Sequence, residues 1–228
     1  MIQEHSEEMF NNLEFVTPAI RHKREHFRHT PKDFRDKVAK KIVHLSAEGA
    51  TFLFQERYGH RAVVLETIAS VPGMVGGLFQ HLKSLRFIRD DNGWIKALLD
   101  EAENERLHLL IYSEIAKPTI FERLLIIIVQ FFFCIIYSIL YLLSTRTAHR
   151  VVGYLEEEAI HSYERYLELV HEGKHENIPA TVLAISYWKL KEDARLTEMI
   201  EATIIDEMLH RDVNHRFADD KRGTQMWH

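Results

Sequence analysis

Two acid–imidazole pairs in the sequence have the spacing expected of metal ligands on a helix. Glu105 and His108 form the first pair, and Glu207 and His210 form the second. Residues three positions apart lie on one face of a helix, so the carboxylate and the imidazole of each pair point in the same direction. The carboxylate can then bridge two metal ions while the imidazole binds one of them.

A lone glutamate in a predicted helix precedes each pair, Glu66 in the first half of the chain and Glu156 in the second. A four-helix bundle that holds two iron ions uses this set, with one Glu from each of two helices and one Glu-x-x-His pair from each of the others. Chance gives roughly one or two such pairs in a chain of this composition. Five are present, the others being Glu158/His161, Glu168/His171 and Glu172/His175. The repeated order selects the pairs Glu105/His108 and Glu207/His210. The last two of the others lie beside Gly173, where the sequence predicts a polar helix end and a loop.

The composition predicts an all-α chain. Its 228 residues suit one domain with a substantial core, and only nine Gly and five Pro interrupt runs rich in helix-forming residues. We expect an N-terminal arm (1–30), a helical domain (31–220) and a C-terminal tail (221–228). Cys134 is the single cysteine, which excludes an intramolecular disulfide and a zinc site built on cysteines.

Charge is distributed unevenly near the N-terminus. Residues 1–20 contain four acids and no Lys or Arg, whereas residues 21–41 contain nine Lys or Arg against three acids. The basic stretch could attract anionic lipid headgroups, or it could be a solvated arm. No motif that reads nucleic acid accompanies it, so we expect no nucleic-acid partner. The first residues resemble neither a signal nor a transit peptide. We therefore expect the cytoplasmic face of a bacterial inner membrane, with the matrix face of the mitochondrial inner membrane as the alternative.

Six helical segments follow from periodicity and from the positions of Pro and Gly. Gly73, Gly76 and Gly77 lie inside the second segment, where each costs up to about 1 kcal/mol relative to Ala unless another helix approaches closely. Pro72 predicts a kink there. The predicted segments are 31–57, 59–85, 94–116, 119–143, 146–171 and 180–217.

Residues 124–143 form a stretch of twenty residues without a charge. This length is enough to cross a membrane. A crossing would place Glu66 and Glu105 on one side and Glu156 and Glu207 on the other, which excludes a shared metal site. Two other arrangements are compatible with both the apolar stretch and a shared metal site. In one, the helix packs on the bundle with one face and inserts the other face into one leaflet; in the other, it is buried in the core of a dimer. We favour the attachment to one leaflet.

Four motifs resemble those of the alternative oxidases, which are di-iron, cyanide-insensitive quinol oxidases. They are LETIASVPGMVGG from Leu65, ENERLHLL from Glu103, YLEEEA from Tyr154 and DEMLH from Asp206, and the similarity spans about residues 55–220. The resemblance implies a ferritin-like four-helix di-iron bundle, with further helices forming a monotopic membrane-binding face. It also implies a homodimer that oxidises ubiquinol and reduces O₂ to water without pumping protons.

The resemblance also assigns roles to individual residues. Tyr163 matches the catalytic tyrosine, and it follows Glu156 by two helical turns, on the same face. A phenol beside an iron pair can supply an electron and a proton to oxygen. The implied ligands of the two iron ions in each chain are Glu66, Glu105, His108, Glu156, Glu207 and His210. Positions that line the quinol cavity are Arg61, Leu65, Ala159 and Ser162, and positions that support the ligands are Asn104, Asp206, Tyr187 and Trp188.

Two features of the chain depart from the family pattern. The regulatory cysteine of plant members has no counterpart, because Cys134 lies in the apolar segment, and Ser162 stands where some members have Thr. Three other functions fit parts of the pattern: a quinone-ring hydroxylase with the same metal site, a ferritin-like ferroxidase, and a helical membrane protein without metal. The apolar segment argues against a soluble ferritin-like shell.

Overall fold

The computed structural model describes residues 28–54 and 57–220. This part of the chain is all-α, as predicted, and contains no strand; one isolated bridge joins Pro179 and Arg195. The predicted tail and most of the predicted arm lie outside the described residues. The helices are α1 (Phe34–Phe54), α2 (Tyr58–Phe87), α3 (Trp94–Ala116), α4 (Ile120–Leu143), α5 (Thr145–His171), α6 (Val182–Trp188) and α7 (Leu196–Asp219). The first five agree with the predicted segments to within three residues, and α2 runs through Pro72.

Four of these helices form the core of the bundle, with α2 packed against α3 and α5 packed against α7. Glycine permits the close approach in both pairs. A Cβ atom on Gly73 of α2 would lie 2.4 Å from the carbonyl oxygen of Leu98 in α3. A Cβ atom on Gly153 of α5 would lie 2.5 Å from the ring of His215 in α7. Each glycine therefore sets the distance between two helices that carry predicted metal ligands.

The prediction of one helix over 180–217 is wrong, because α6 ends at Trp188 and α7 begins at Leu196. The chain reverses between them, starting at Lys189, which has a left-handed backbone (φ 49°). The reversal brings the Trp188 indole within 2.9 Å of the Asp206 carboxylate. A continuous helix rises about 1.5 Å per residue and would hold these residues far apart. The break thus permits a tertiary contact that local periodicity does not predict.

Helix α1 is held on α5 by buried charges. Asp36 accepts hydrogen bonds from Arg150 (3.2 Å) and Arg146 (3.3 Å), both at the start of α5. The fully buried Arg150 also donates to Asp219 at the end of α7. Removing one member of such a set leaves a charge buried without its partner. The start of α1 is therefore tied to the bundle by specific ion pairs.

Helix α4 exposes most of its apolar surface. Tyr137 and Tyr141 are its two buried residues, and only 11% of its most apolar window is buried. Helix α2 is also long and apolar enough to cross a membrane, but 56% of its most apolar 18-residue stretch is buried in the protein. The exposed large apolar residues of α4 are Ile120, Phe121, Leu124, Leu125, Ile127, Ile128, Phe131, Phe132, Ile135, Ile136, Ile139, Leu142 and Leu143.

Candidate metal centre

The structure brings all six predicted ligands together in the middle of the bundle. Their side chains come from α2, α3, α5 and α7, and all are buried. They form two overlapping groups in which one ligand atom from each residue lies within 4.8 Å of the others. The first group contains Glu66, Glu105, His108 and Glu207, and the second contains Glu105, Glu156, Glu207 and His210.

Glu105 and Glu207 belong to both groups, so each carboxylate lies between the two histidines. The Nδ1 atom of His210 is 2.7 Å from Glu105 and 3.5 Å from Glu207. The Nδ1 atom of His108 is 3.4 Å from Glu207 and 3.9 Å from Glu105. Two shared carboxylates flanked by terminal ligands form the arrangement that a pair of metal ions requires.

Many polar atoms at this site lack a hydrogen bond. Buried polar groups almost always have a hydrogen-bond partner, so a cluster of exceptions calls for an explanation. A metal ion supplies what these oxygen and nitrogen atoms lack, and carboxylate with imidazole is a donor set that suits iron. Among the six predicted ligands, the buried atoms without a hydrogen-bond partner in the described part of the chain are Glu66 Oε2, both carboxylate oxygens of Glu105, His108 Nδ1, Glu207 Oε2 and His210 Nδ1.

The electrostatics of the site also favour cations. Burial raises the pKa of Glu105 and Glu156 well above the usual value, and the charge of nearby Glu207 raises both further. Burial alone lowers the pKa of His210, but the contact with Glu207 and the charges of Glu101, Glu207 and Glu156 together outweigh burial and raise the pKa to about 9. Four carboxylates packed together in a buried site repel one another. Two divalent cations would balance their four charges, so the residues fit such a pair.

Asp206 orients the first histidine from a neighbouring helix. The Nε2 atom of His108 donates to Asp206 Oδ2 (3.1 Å), which leaves Nδ1 facing the carboxylates. The same oxygen accepts from Asn104 Nδ2 and Trp188 Nε1, each at 2.9 Å. The Asn104 amide also donates to the Tyr187 hydroxyl. The structure thus brings the four predicted supporting residues into one network on the His108 side. Such partners fix the tautomer and the orientation of a ligand histidine.

Tyr163 lies directly against the ligands. Its hydroxyl donates to Glu66 Oε1, and its side chain is 2% exposed. Burial, followed by the charge of Glu66, raises its pKa well above the usual value, which keeps the phenol protonated. The ring centroid lies 5.3 Å from that of Tyr112. The sequence placed Tyr163 on the same face of α5 as Glu156. In the structure, its hydroxyl contacts a different ligand, Glu66 of α2.

Only two of the four residues predicted for the quinol cavity line a common cleft among the described residues. Arg61 and Ser162 are buried, and both line a cleft of about 1010 Å³ between α1, the start of α2 and α5. Leu65 and Ala159 are half-buried and are not among the described residues that line the cleft. Burial lowers the pKa of the Arg61 guanidinium.

Glu101 is a buried carboxylate near the site that the ligand motif did not reveal. It is 4% exposed, and its charge favours protonation of His210. Its Oε2 atom accepts from Asn214 Nδ2 at 2.8 Å, and Asn214 Oδ1 lies 2.9 Å from His149 Nδ1. Glu101 precedes Glu105 by four residues, one helical turn, so the spacing along α3 was a signal that could have found it.

Comparison with known proteins identifies the family. The sequence model of the alternative oxidases matches residues 18–219. The chain belongs to the alternative oxidase family. It is 54% identical over 192 residues to a soybean protein named mitochondrial ubiquinol oxidase 2. This alignment covers 84% of the chain and 57% of the relative. The Arabidopsis thaliana protein of that name is 53% identical over 195 residues (86% of the chain and 55% of the relative), and a ubiquinol oxidase of Batrachochytrium dendrobatidis is 51% identical over 189 residues (83% and 60%).

The chain thus spans somewhat more than half the length of these family members. Their names also correct the predicted location. Plant and fungal relatives are named mitochondrial, so the prediction of a bacterial inner membrane is wrong. That prediction rested on the acidic composition of the first residues, which does not distinguish the two compartments.

Proposed function

We propose that the protein is a ubiquinol:oxygen oxidoreductase with two iron ions per chain, which reduces O₂ to water without pumping protons. Two observations support this proposal: the paired ligand groups that share Glu105 and Glu207, and relatives named ubiquinol oxidase. A quinone-ring hydroxylase and a ferroxidase need the same ligand types. The names of the relatives favour the oxidase over both.

The side chains around the site have distinct tasks in this reaction. When bound, the iron pair would accept electrons from quinol and donate them to O₂. Asp206 holds His108 with its Nδ1 atom free for a metal, and Tyr163 keeps a proton at its hydroxyl beside Glu66. Reduction of O₂ to two waters takes four electrons and four protons, whereas one quinol supplies two of each. A second quinol supplies the remaining two of each, and a buried phenol next to a ligand is placed to lend one electron with its proton until that quinol restores both.

We propose that the chain attaches to one leaflet of the inner mitochondrial membrane. The metal centre combines side chains that come before α4 in the sequence with others that come after it, so a crossing by α4 would separate them. The exposed apolar face of α4 needs an apolar surrounding. Helix α1 adds a second exposed apolar row, which consists of Phe34, Val38, Ile42 and Leu45.

We also propose that two copies associate through α2. Met74, Leu78, Leu82 and Leu85 follow one another at spacings of three or four residues, and all are exposed. This spacing forms one stripe along a helix, and an exposed apolar stripe of this kind marks a contact surface. The family resemblance places His81, Arg86 and Arg106 near such a contact.

Oxygen uptake with a short-chain ubiquinol in the presence of cyanide, with iron measured on the same sample, tests the activity. We expect cyanide-insensitive uptake and two irons per chain. Glu156→Ala removes one terminal carboxylate and should abolish uptake while the helical content survives. Glu168→Ala is the matched control, because it removes an exposed carboxylate from the same helix. Purified protein that oxidises quinol at full rate without iron would contradict the proposal.

Labelling of sealed vesicles tests the topology. Cysteines are introduced singly at Asn92 and Lys174, in a chain that carries Cys134→Ser. Both positions are exposed, one before α4 and one after α5. Attachment to one leaflet predicts that an impermeant thiol reagent reaches both from the same side. Reaction from opposite sides would establish a crossing by α4 and refute the shared metal centre.

A further inference from the structure

The cleft that contains Arg61 and Ser162 is strongly cationic. Among the described residues, six Lys or Arg side chains line it against two glutamates, Glu48 and Glu158, which gives a charge of +4 before two histidines are counted. The six cations are Arg28, Lys37, Lys40, Lys41, Arg61 and Arg165. A quinol ring carries no charge, so its passage does not account for this excess. The lining calls for an anionic ligand.

Two of these cations are available to such a ligand. Lys37 and Lys41 are exposed, and neither forms an ion pair with another residue in the described part of the chain. By contrast, Arg165 is paired with Glu168 at 2.8 Å, and Lys40 lies 5.5 Å from the centroid of the Tyr154 ring. An anion between Lys37 and Lys41 would accept hydrogen bonds from two charged donors at once. A phosphate group has enough acceptor oxygens to do so.

The side chains of α1 are arranged in three rows along the helix. The packed row is Asp36, Ala39 and Val43, the cationic row is Lys37, Lys41 and His44, and the exposed apolar row is Phe34, Val38, Ile42 and Leu45. At about 100° per residue, the cationic row lies between the packed row and the apolar row. A helix at a membrane surface shows this order, with apolar residues among the acyl chains and cations at the level of the phosphates.

We propose that the cleft binds the phosphate of an anionic phospholipid, held by Lys37 and Lys41 on α1. This inference rests on the proposed attachment to one leaflet and adds a specific headgroup site to it. The apolar row beside the two lysines favours a lipid over free phosphate, because it provides a surface for acyl chains. Since Arg61 and Ser162 line the same cleft, the bound headgroup sits beside two of the four residues predicted for the quinol cavity.

Titration with a monomeric short-chain phosphatidylglycerol tests the site on the full chain in detergent. We expect saturable binding of one lipid per chain. Lys37→Gln with Lys41→Gln should weaken it about five-fold for each lysine, or about 30-fold together, as expected for cations beside lipid phosphates. Arg35→Gln with Arg123→Gln is the matched control. It removes two exposed cations, one of them also from α1, and neither lines the cleft. The control should bind within two-fold of the parent.

Three results would overturn the inference. Equal weakening in both double variants would mean that diffuse surface charge, and not the cleft, attracts the lipid. Binding of inorganic phosphate as tight as that of the lipid would assign the site to a free anion. Absence of saturable binding to the parent would remove the site altogether. Circular dichroism confirms that each variant folds. Iron content and oxygen uptake, measured on the same samples, separate this inference from the proposed activity: lipid binding by a parent protein without iron or uptake would refute only the activity.

Discussion

Replacing Asp206 by Asn would remove the negative charge that holds His108 in position. Asp206 Oδ2 accepts three hydrogen bonds, from His108 (3.1 Å), Asn104 (2.9 Å) and Trp188 (2.9 Å). The substitution keeps the size and planarity of the side chain, so packing changes little. The variant therefore tests charge and orientation at the metal centre separately from volume.

The three contacts set the magnitude of the effect. A hydrogen bond to a charged group contributes about 1.5–3 kcal/mol, and one between neutral groups about 0.5–1.5 kcal/mol. Asp206→Asn therefore weakens each contact by about 1 kcal/mol, or about 3 kcal/mol for all three. Expressed as metal affinity this is about 100-fold, the upper end of the 10–100-fold loss typical for partners of ligand histidines. We expect a loss within that range, since part of the energy appears as lower stability.

Competition for iron with a chelator of known affinity measures this loss directly. Asp212→Asn is the control, because it removes the same charge from the same helix at a position bonded to the adjacent Arg211. The control should retain iron like the parent, and circular dichroism should show both variants folded. If Asp206→Asn binds iron as tightly as the parent does, Asp206 has no positioning role, and the network around it serves only to join α3, α6 and α7.

Three further predictions concern catalysis, packing and pH. Tyr163→Phe should leave iron content and KM unchanged and lower kcat about 100-fold or more, whereas Tyr112→Phe, a matched change in the same core, should retain most of kcat in steady-state oxygen uptake. Gly73→Ala should destabilise the fold by about 1–3 kcal/mol through overpacking, whereas Gly49→Ala, whose Cβ meets nothing within 4 Å, should be neutral or stabilising in thermal unfolding. Burial lowers the pKa of His149 from 6.5 to about 4, so the unfolded chain binds more protons between these values and stability falls as the pH drops through this range. His149→Gln should reduce that fall by about 3 kcal/mol when urea unfolding at pH 7 and pH 4 is compared with that of the parent.

Sequence spacing located the candidate ligands because it reports which residues share a helix face. Glu105 with His108 and Glu207 with His210 needed only that property, and the structure brings both pairs to one site. The spacing of Tyr163 placed it on the correct face of α5. It did not reveal that the hydroxyl contacts Glu66, because Glu66 belongs to another helix. The distance between α2 and α5 cannot be predicted from the sequence of either helix.

Features that depend on contacts between helices were harder to predict. The break between α6 and α7 allows Trp188 to reach Asp206, and no local sequence pattern predicts that contact. Glu101 had a signal in its position one turn before Glu105. A single buried carboxylate is nevertheless indistinguishable by sequence from an exposed one until its partner, Asn214, is known.

Helix α4 shows why composition alone does not settle membrane topology. A helix that crosses a bilayer and a helix that lies between a protein and one leaflet are both apolar on every side, so their sequences look alike. The position of the metal ligands bears on this choice. Glu66 precedes α4 and Glu156 follows it, yet both belong to the same buried centre. Because ligands from both sides of α4 in the sequence share one centre, that centre constrains the topology more strongly than any property of the twenty apolar residues. The labelling of Asn92 and Lys174 is therefore a test of the metal centre as well as of the membrane attachment.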